Sequence, residues 1–126
     1  MIPSPHTFGA FWTSSITEHL DRKYSRVASP LVYATRIPNG HGALLVVPVG
    51  FVTDFASIPR PLWALLPRDG SYQPAAVLHD WLYTETDVSR EDADDIFLEA
   101  MEACGTWGPV RRLIWLGVRL FGWIYH

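Results

Sequence analysis

The stretch Ala75-Ala76-Val77-Leu78-His79-Asp80-Trp81-Leu82-Tyr83 constrains this chain more than any other. It reads as a helix that starts near Pro74, yet it sets a histidine and an aspartate side by side among apolar residues. A buried face tolerates ionisable groups only when they are paired, hydrogen-bonded or bound to a metal. Any fold for this chain must therefore bring partners to His79 and Asp80. Asp94, on the next predicted helix, is the first candidate.

The rest of the composition bounds the problem. At 126 residues the chain is expected to form one domain over residues 1–126, with a single ordinary core. Hydrophobic residues make up 48% of it and six are tryptophan, which argues against disorder. A net charge of -3 offers no basic face for nucleic acid, so no nucleic-acid partner is expected. Cys104 is the one cysteine, which excludes an internal disulfide; it reads as a small core residue. Met1-Ile2-Pro3-Ser4-Pro5 lacks the basic start and apolar run of a signal peptide. No uncharged apolar run is long enough for a membrane span. Synthesis in the cytoplasm is the expectation.

Residues 1–55 read mainly as strands and turns, and residues 56–126 mainly as helices. Phe8 to Ile16 is a predicted strand. Leu31 to Ile37 and Ala43 to Val47 flank Asn39-Gly40, a hairpin signal because both turn residues accept positive φ. Pro59 to Leu66 predicts a short helix with Pro61 in its first turn. A second helix runs from Pro74 to about Thr84. After Thr86-Asp87-Val88, Ser89 caps a third helix that Gly105 ends. Pro109 to about Tyr125 is the last helix, weakened at Gly117 and Gly122. The fold class is α+β, a small antiparallel sheet packed against helices that include an antiparallel pair.

That pair defines the candidate site. His79 and Asp94 lie roughly 10 Å and 9 Å from the turn between their helices, so they stand level. His79 shares a stripe with Ala76 and Tyr83, and Asp94 with Phe97 and Met101. Asp95 instead follows Glu91, Glu99 and Glu102 along a solvated face. His79 is expected to contact Asp94, with Asp80 beside them and the Tyr83 hydroxyl as a fourth member. A carboxylate against histidine orients the ring for work as a general base on water. A neighbouring carboxylate can hold a hard cation such as calcium. The same residues equally describe a purely structural network between two helices, and the two readings stay open at this level.

A second dense stretch, Val47 to Arg60, offers Asp54 and Ser57 as local capping residues or as contacts to the His79 cluster. Arg60 is suited to pair with a carboxylate or phosphate. No Gly-x-Ser-x-Gly elbow surrounds Ser57, so it does not read as a nucleophile. The last helix is apolar on most sides and carries Arg111, Arg112 and Arg119, which fits a core helix or one facing a partner or membrane interface.

The motifs Val47-Pro48-x-Gly50-Phe51-x-Thr53-Asp54-x-Ala56-Ser57-Ile58-Pro59, Ala75-Ala76-x-x-His79-Asp80-x-Leu82-Tyr83, Ser89-Arg90-x-x-Ala93-Asp94-x-x-Phe97 and Arg119-x-Phe121-Gly122 resemble a family of small proteins of tailed bacteriophages and prophages, a family without an assigned activity. The resemblance implies phage origin, other phage structural proteins as partners, and a place in the particle or its assembly. A second resemblance is chemical. His79-Asp80-x-x-Tyr83 followed by Asp94-x-x-Phe97 is similar to the paired-helix site of phospholipase A2 proteins. It implies His79 as the base, Asp80 as a ligand to calcium or another divalent metal, Asp94 as the residue that orients the base, and membrane lipid as substrate. The glycine-rich calcium loop of that family has no counterpart here. The expected function is therefore a virion-associated or assembly protein with a hydrolase-type site; the alternative is a tail or head accessory protein without catalytic activity. A metal phosphohydrolase ranks last, because no upstream histidine lies on a predicted helix facing the site.

Overall fold

A computed structural model describes residues 8–13, 17–20, 24–53, 58–66 and 70–125. Two three-stranded antiparallel sheets precede the helices, giving the expected α+β arrangement. The first sheet has the order β1-β4-β5, with β1 at Ala10–Phe11, β4 at Leu31–Ala34 and β5 at Leu44–Val47. The second has the order β2-β3-β6, with β2 at Thr17–His19, β3 at Ser25–Val27 and β6 at Val52–Thr53. A short 3-10 helix, Arg60–Leu65, leads into α1 (Gln73–Glu85), α2 (Arg90–Ala103) and α3 (Gly108–Tyr125).

The strands are shorter than their sequence patterns predict. Within Phe8 to Ile16 only Ala10 and Phe11 pair with a neighbour, and residues 14–16 lie outside the described part. The Asn39-Gly40 hairpin forms with Ala34 opposite Leu44, so its loop runs from 35 to 43 rather than through two residues. Pro38 has no N–H to give to a ladder. The Asn39 side chain organises the loop instead: its amide donates to the Ile37 and Gly42 carbonyls, and its oxygen accepts from the His41 N–H. His41 in turn binds Asp87, which ties the hairpin tip to the α1–α2 connection.

In the first sheet Leu31, Tyr33, Leu45 and Val47 point into the core, where they join residues of α1, α2 and α3. Helix α1 lies at the centre: Ala75 to Asp80 and Leu82 are all buried. Its position explains why its sequence shows no clean apolar stripe, since an element surrounded on most sides has no solvent face to mark. Ser89 caps α2 as predicted, accepting from the Asp92 N–H at 3.1 Å. Gly105 adopts φ 80° just past the end of α2, a conformation that favours glycine.

Gly117 has a use that the sequence reading missed. A Cβ built there would lie 2.3 Å from Cδ1 of Leu62, so the absent side chain lets the 3-10 helix settle against α3. Gly117→Ala gains helix propensity of about 1 kcal/mol but overpacks this contact by about 1–3 kcal/mol. We expect a net loss of stability in urea denaturation. In combination with Leu62→Ala the loss should shrink; strictly additive effects would show that the contact does not exist in solution.

Candidate functional site

The antiparallel packing of α1 and α2 brings His79 and Asp94 level, and both are fully buried. His79 Nε2 lies 2.7 Å from Asp94 Oδ1. The Tyr83 hydroxyl donates to the same oxygen at 2.6 Å. Arg119 reaches over from α3 and donates from its guanidinium to Asp94 Oδ2 at 3.0 Å. One carboxylate thus accepts from three side chains on two other helices. The arginine supplies the opposite charge that a buried carboxylate requires. Glu91 stands 3.9 Å from the same guanidinium.

The imidazole is fixed in orientation as well as in partner. Phe97 stacks on it with ring centres 4.4 Å apart and planes 20° from parallel. Tyr83 packs against it at 4.4 Å with a 48° tilt. With Asp94 accepting, Nε2 is the donor side of the imidazole and Nδ1 faces away from the carboxylate. Chemically, a carboxylate against an imidazole fixes the orientation of the ring and can balance a positive charge on it.

Asp80 faces elsewhere. Consecutive helical residues point about 100° apart, and Asp80 turns to the second sheet, where it accepts from the Thr53 hydroxyl at 2.6 Å. It is 5% exposed. Among the described residues His79 thus bonds across the helix pair and Asp80 bonds to strand β6. Among the described residues no group of three or more His, Cys, Asp or Glu side chains is placed to hold a metal ion.

Of the remaining candidates, Asp54 and Ser57 lie outside the described residues. Arg60 is exposed and its guanidinium lies 4.9 Å from the centre of the Trp63 ring, a cation–π contact; among the described residues it bonds to no carboxylate. Asp95 is exposed, as predicted, and accepts from the Trp115 indole at 3.2 Å. Burial pushes the Cys104 thiol up to about 11, so it is protonated at neutral pH and unsuited to nucleophilic work. A cleft of about 280 Å³ opens at the hairpin tip between Thr35 and Ala43, and none of its lining residues belongs to the His79 cluster.

Two members of the site escaped the sequence reading. Arg119 and Thr53 are 25 and 27 residues from their partners, and both stand inside the resemblance motifs, which was the one available signal. Glu99, expected on the solvated face with Asp95, instead turns to the first sheet and forms a second polar cluster. Glu99 accepts from the Tyr33 and Thr35 hydroxyls, each at 2.8 Å, and from the Arg36 backbone N–H, so α2 is bonded to the first sheet at one turn and to α1 and α3 at another.

The chain belongs to the family described as "Protein of unknown function (DUF1353)", which matches residues 25–118 and so contains Thr53, His79, Asp80, Tyr83 and Asp94. It is 31% identical over 78 residues to the "Uncharacterized protein y4jT" of Sinorhizobium fredii (strain NBRC 101917 / NGR234). The match covers 60% of this chain and 23% of that relative, so the chain spans about a quarter of the relative's length. No solved structure matches it.

Asp94→Ala leaves a buried imidazole, a phenol and a guanidinium without their acceptor. We expect a loss of about 3–5 kcal/mol in denaturant unfolding. The tyrosines give a second test. Burial, then the bond to Asp94, raises the Tyr83 hydroxyl well above the ordinary value of 10.0. Burial, then the Glu99 charge, raises Tyr33 further. The unfolded chain therefore ionises first as pH rises past 10.0. Stability is fully present below that pH and should fall above it, by up to about 1.4 kcal/mol per pH unit for each tyrosine. Tyr83→Phe should flatten this alkaline slope; an unchanged slope would mean that Tyr83 is not held neutral by the fold.

Proposed function

We propose that this DUF1353 member is a phage- or prophage-encoded protein of the particle or its assembly, and that the His79–Asp94 pair is a hydrolase-type general-base unit. The observation that carries the chemistry is the 2.7 Å contact from His79 Nε2 to a buried carboxylate that also accepts from Tyr83. It directs the basic nitrogen, Nδ1, away from Asp94. In the proposed reaction Nδ1 takes the proton of a water molecule as the water oxygen bonds to the carbonyl carbon of an ester. Asp94 holds the imidazolium meanwhile, and the proton is returned to the departing alcohol oxygen. Arg119 and Tyr83 keep Asp94 in place. The step needs no metal. Phage origin and the particle as destination rest on the motif resemblance, with other phage structural proteins as partners.

The second reading is a structural accessory protein whose network only joins three helices. The full burial of both His79 and Asp94 favours it, because a base must meet water and substrate.

The test is ester hydrolysis by the purified chain on short-chain and vesicle phospholipids, beside His79→Gln. Glutamine keeps a donor toward Asp94 but takes no proton. Wild type should hydrolyse an ester, and His79→Gln should lose about 10²–10⁴-fold in rate while melting close to wild type. A wild type inert on every ester, with His79→Gln strongly destabilised, leaves the structural reading. Calcium-assisted chemistry has its own check. A divalent ion that raises the melting temperature of wild type but not of Asp80→Asn would place a metal beside Asp80. Mass spectrometry of particles purified after prophage induction decides whether the protein travels with the virion.

A further inference from the structure

The charges of this chain are segregated. The 3-10 helix segment 58–66 and residues 104–125 carry Arg60, Arg111, Arg112 and Arg119 but not one of the chain's thirteen Asp and Glu residues. The protein as a whole has a net charge of -3, so one basic unit is set on an otherwise acidic molecule. The two segments form a single packed unit, because Gly117 admits Leu62.

Helix α3 buries Ile114 and Val118 toward the core, and its opposite side is also apolar. Leu113, Leu116 and Leu120, at spacings of three and four, are 53%, 48% and 52% exposed. Trp107, just before the helix, is 72% exposed. Arg112 is exposed on the leucine side, one turn before Leu116. Arg111 and Arg119 turn back to α2 and its C-terminal end, to Thr106 and Glu102 and to Asp94 and Glu91. Arg112 makes no ion pair among the described residues. Water is a poor environment for such a row of leucines, and a monomer that exposes one has a surface to meet.

Charge decides among the occupants. A second copy packed on this side would bring two Arg112 guanidinium groups into one apolar interface, and α3 has no acidic residue to compensate either. An anionic apolar interface meets both features at once. Among the described residues no helix is long and apolar enough to cross a membrane, so α3 would lie in the interface plane rather than span it.

We propose that the outward side of α3 docks on an anionic phospholipid surface, with Leu113, Leu116 and Leu120 entering the acyl boundary and Arg112 meeting lipid phosphates. This docking is independent of the chemistry at His79. The experiment is co-sedimentation of the full chain with vesicles of phosphatidylcholine alone and of equal parts phosphatidylcholine and phosphatidylglycerol. Binding should be strong to the mixed vesicles, weak to the neutral ones, and reduced by salt. Leu116→Glu should weaken it by about tenfold or more. Arg112→Gln should weaken only the anionic preference, by about fivefold. Both variants change exposed side chains and should melt as wild type does. His79→Gln should bind like wild type, so failure of docking and failure of hydrolysis are read separately. No partition into either vesicle overturns the proposal. So does equal partition into both, and so does a dimer in light scattering that Leu116→Glu dissociates.

Discussion

Three helices of this protein meet on one carboxylate. Asp94 is fully buried and accepts from His79 and Tyr83 of α1 and from Arg119 of α3. Each bond crosses between elements, so none can form until the helices have packed, and each then holds the packing that made it. A buried carboxylate is costly unless its lone pairs are used and its charge is matched. Here both conditions are met only in the assembled helical layer. The register of α1 against α2 follows from this, because a shift of one residue would carry Asp94 off the face where His79 waits.

The sheets are attached by the same device, moved along the helices. Asp80 takes the Thr53 hydroxyl and ties α1 to the second sheet. Glu99 takes Tyr33 and Thr35 and ties α2 to the first. Apolar contacts supply most of the cohesion, but they are non-directional. The three carboxylates give direction, one for each junction between layers. The chain thus confines most of its buried charge to positions where two elements must be aligned.

That economy shapes the functional question. A carboxylate–histidine pair is a catalytic device and also a way to join helices, and its geometry is alike in both uses. Full burial argues for the second and the oriented Nδ1 for the first. The basic, leucine-faced unit built on Gly117 is a separate feature with its own logic. It places an apolar surface and positive charge at the margin of an acidic molecule, and α3 also supplies Arg119 to Asp94. Docking surface and buried pair therefore share one rigid helix.

Much was legible in the order of residues. The α+β class, the three long helices, the Ser89 cap and the level placement of His79, Tyr83 and Asp94 follow from local patterns: helical spacing, a short connection and capping chemistry act over a few residues, so they can be read without the fold. The strand lengths and the nine-residue hairpin loop could not be read, since pairing depends on what lies across the ladder. Nor could the split of His79 and Asp80 toward different neighbours, the reach of Arg119 and Thr53, or the seat of Leu62 on Gly117. Those contacts join residues 25 to 55 positions apart. Long-range partners are chosen by which elements pack together. The sequence alone determined that His79 and Asp80 must be satisfied; only the tertiary structure decided by whom, because burial sets the need locally and packing supplies the partner from afar.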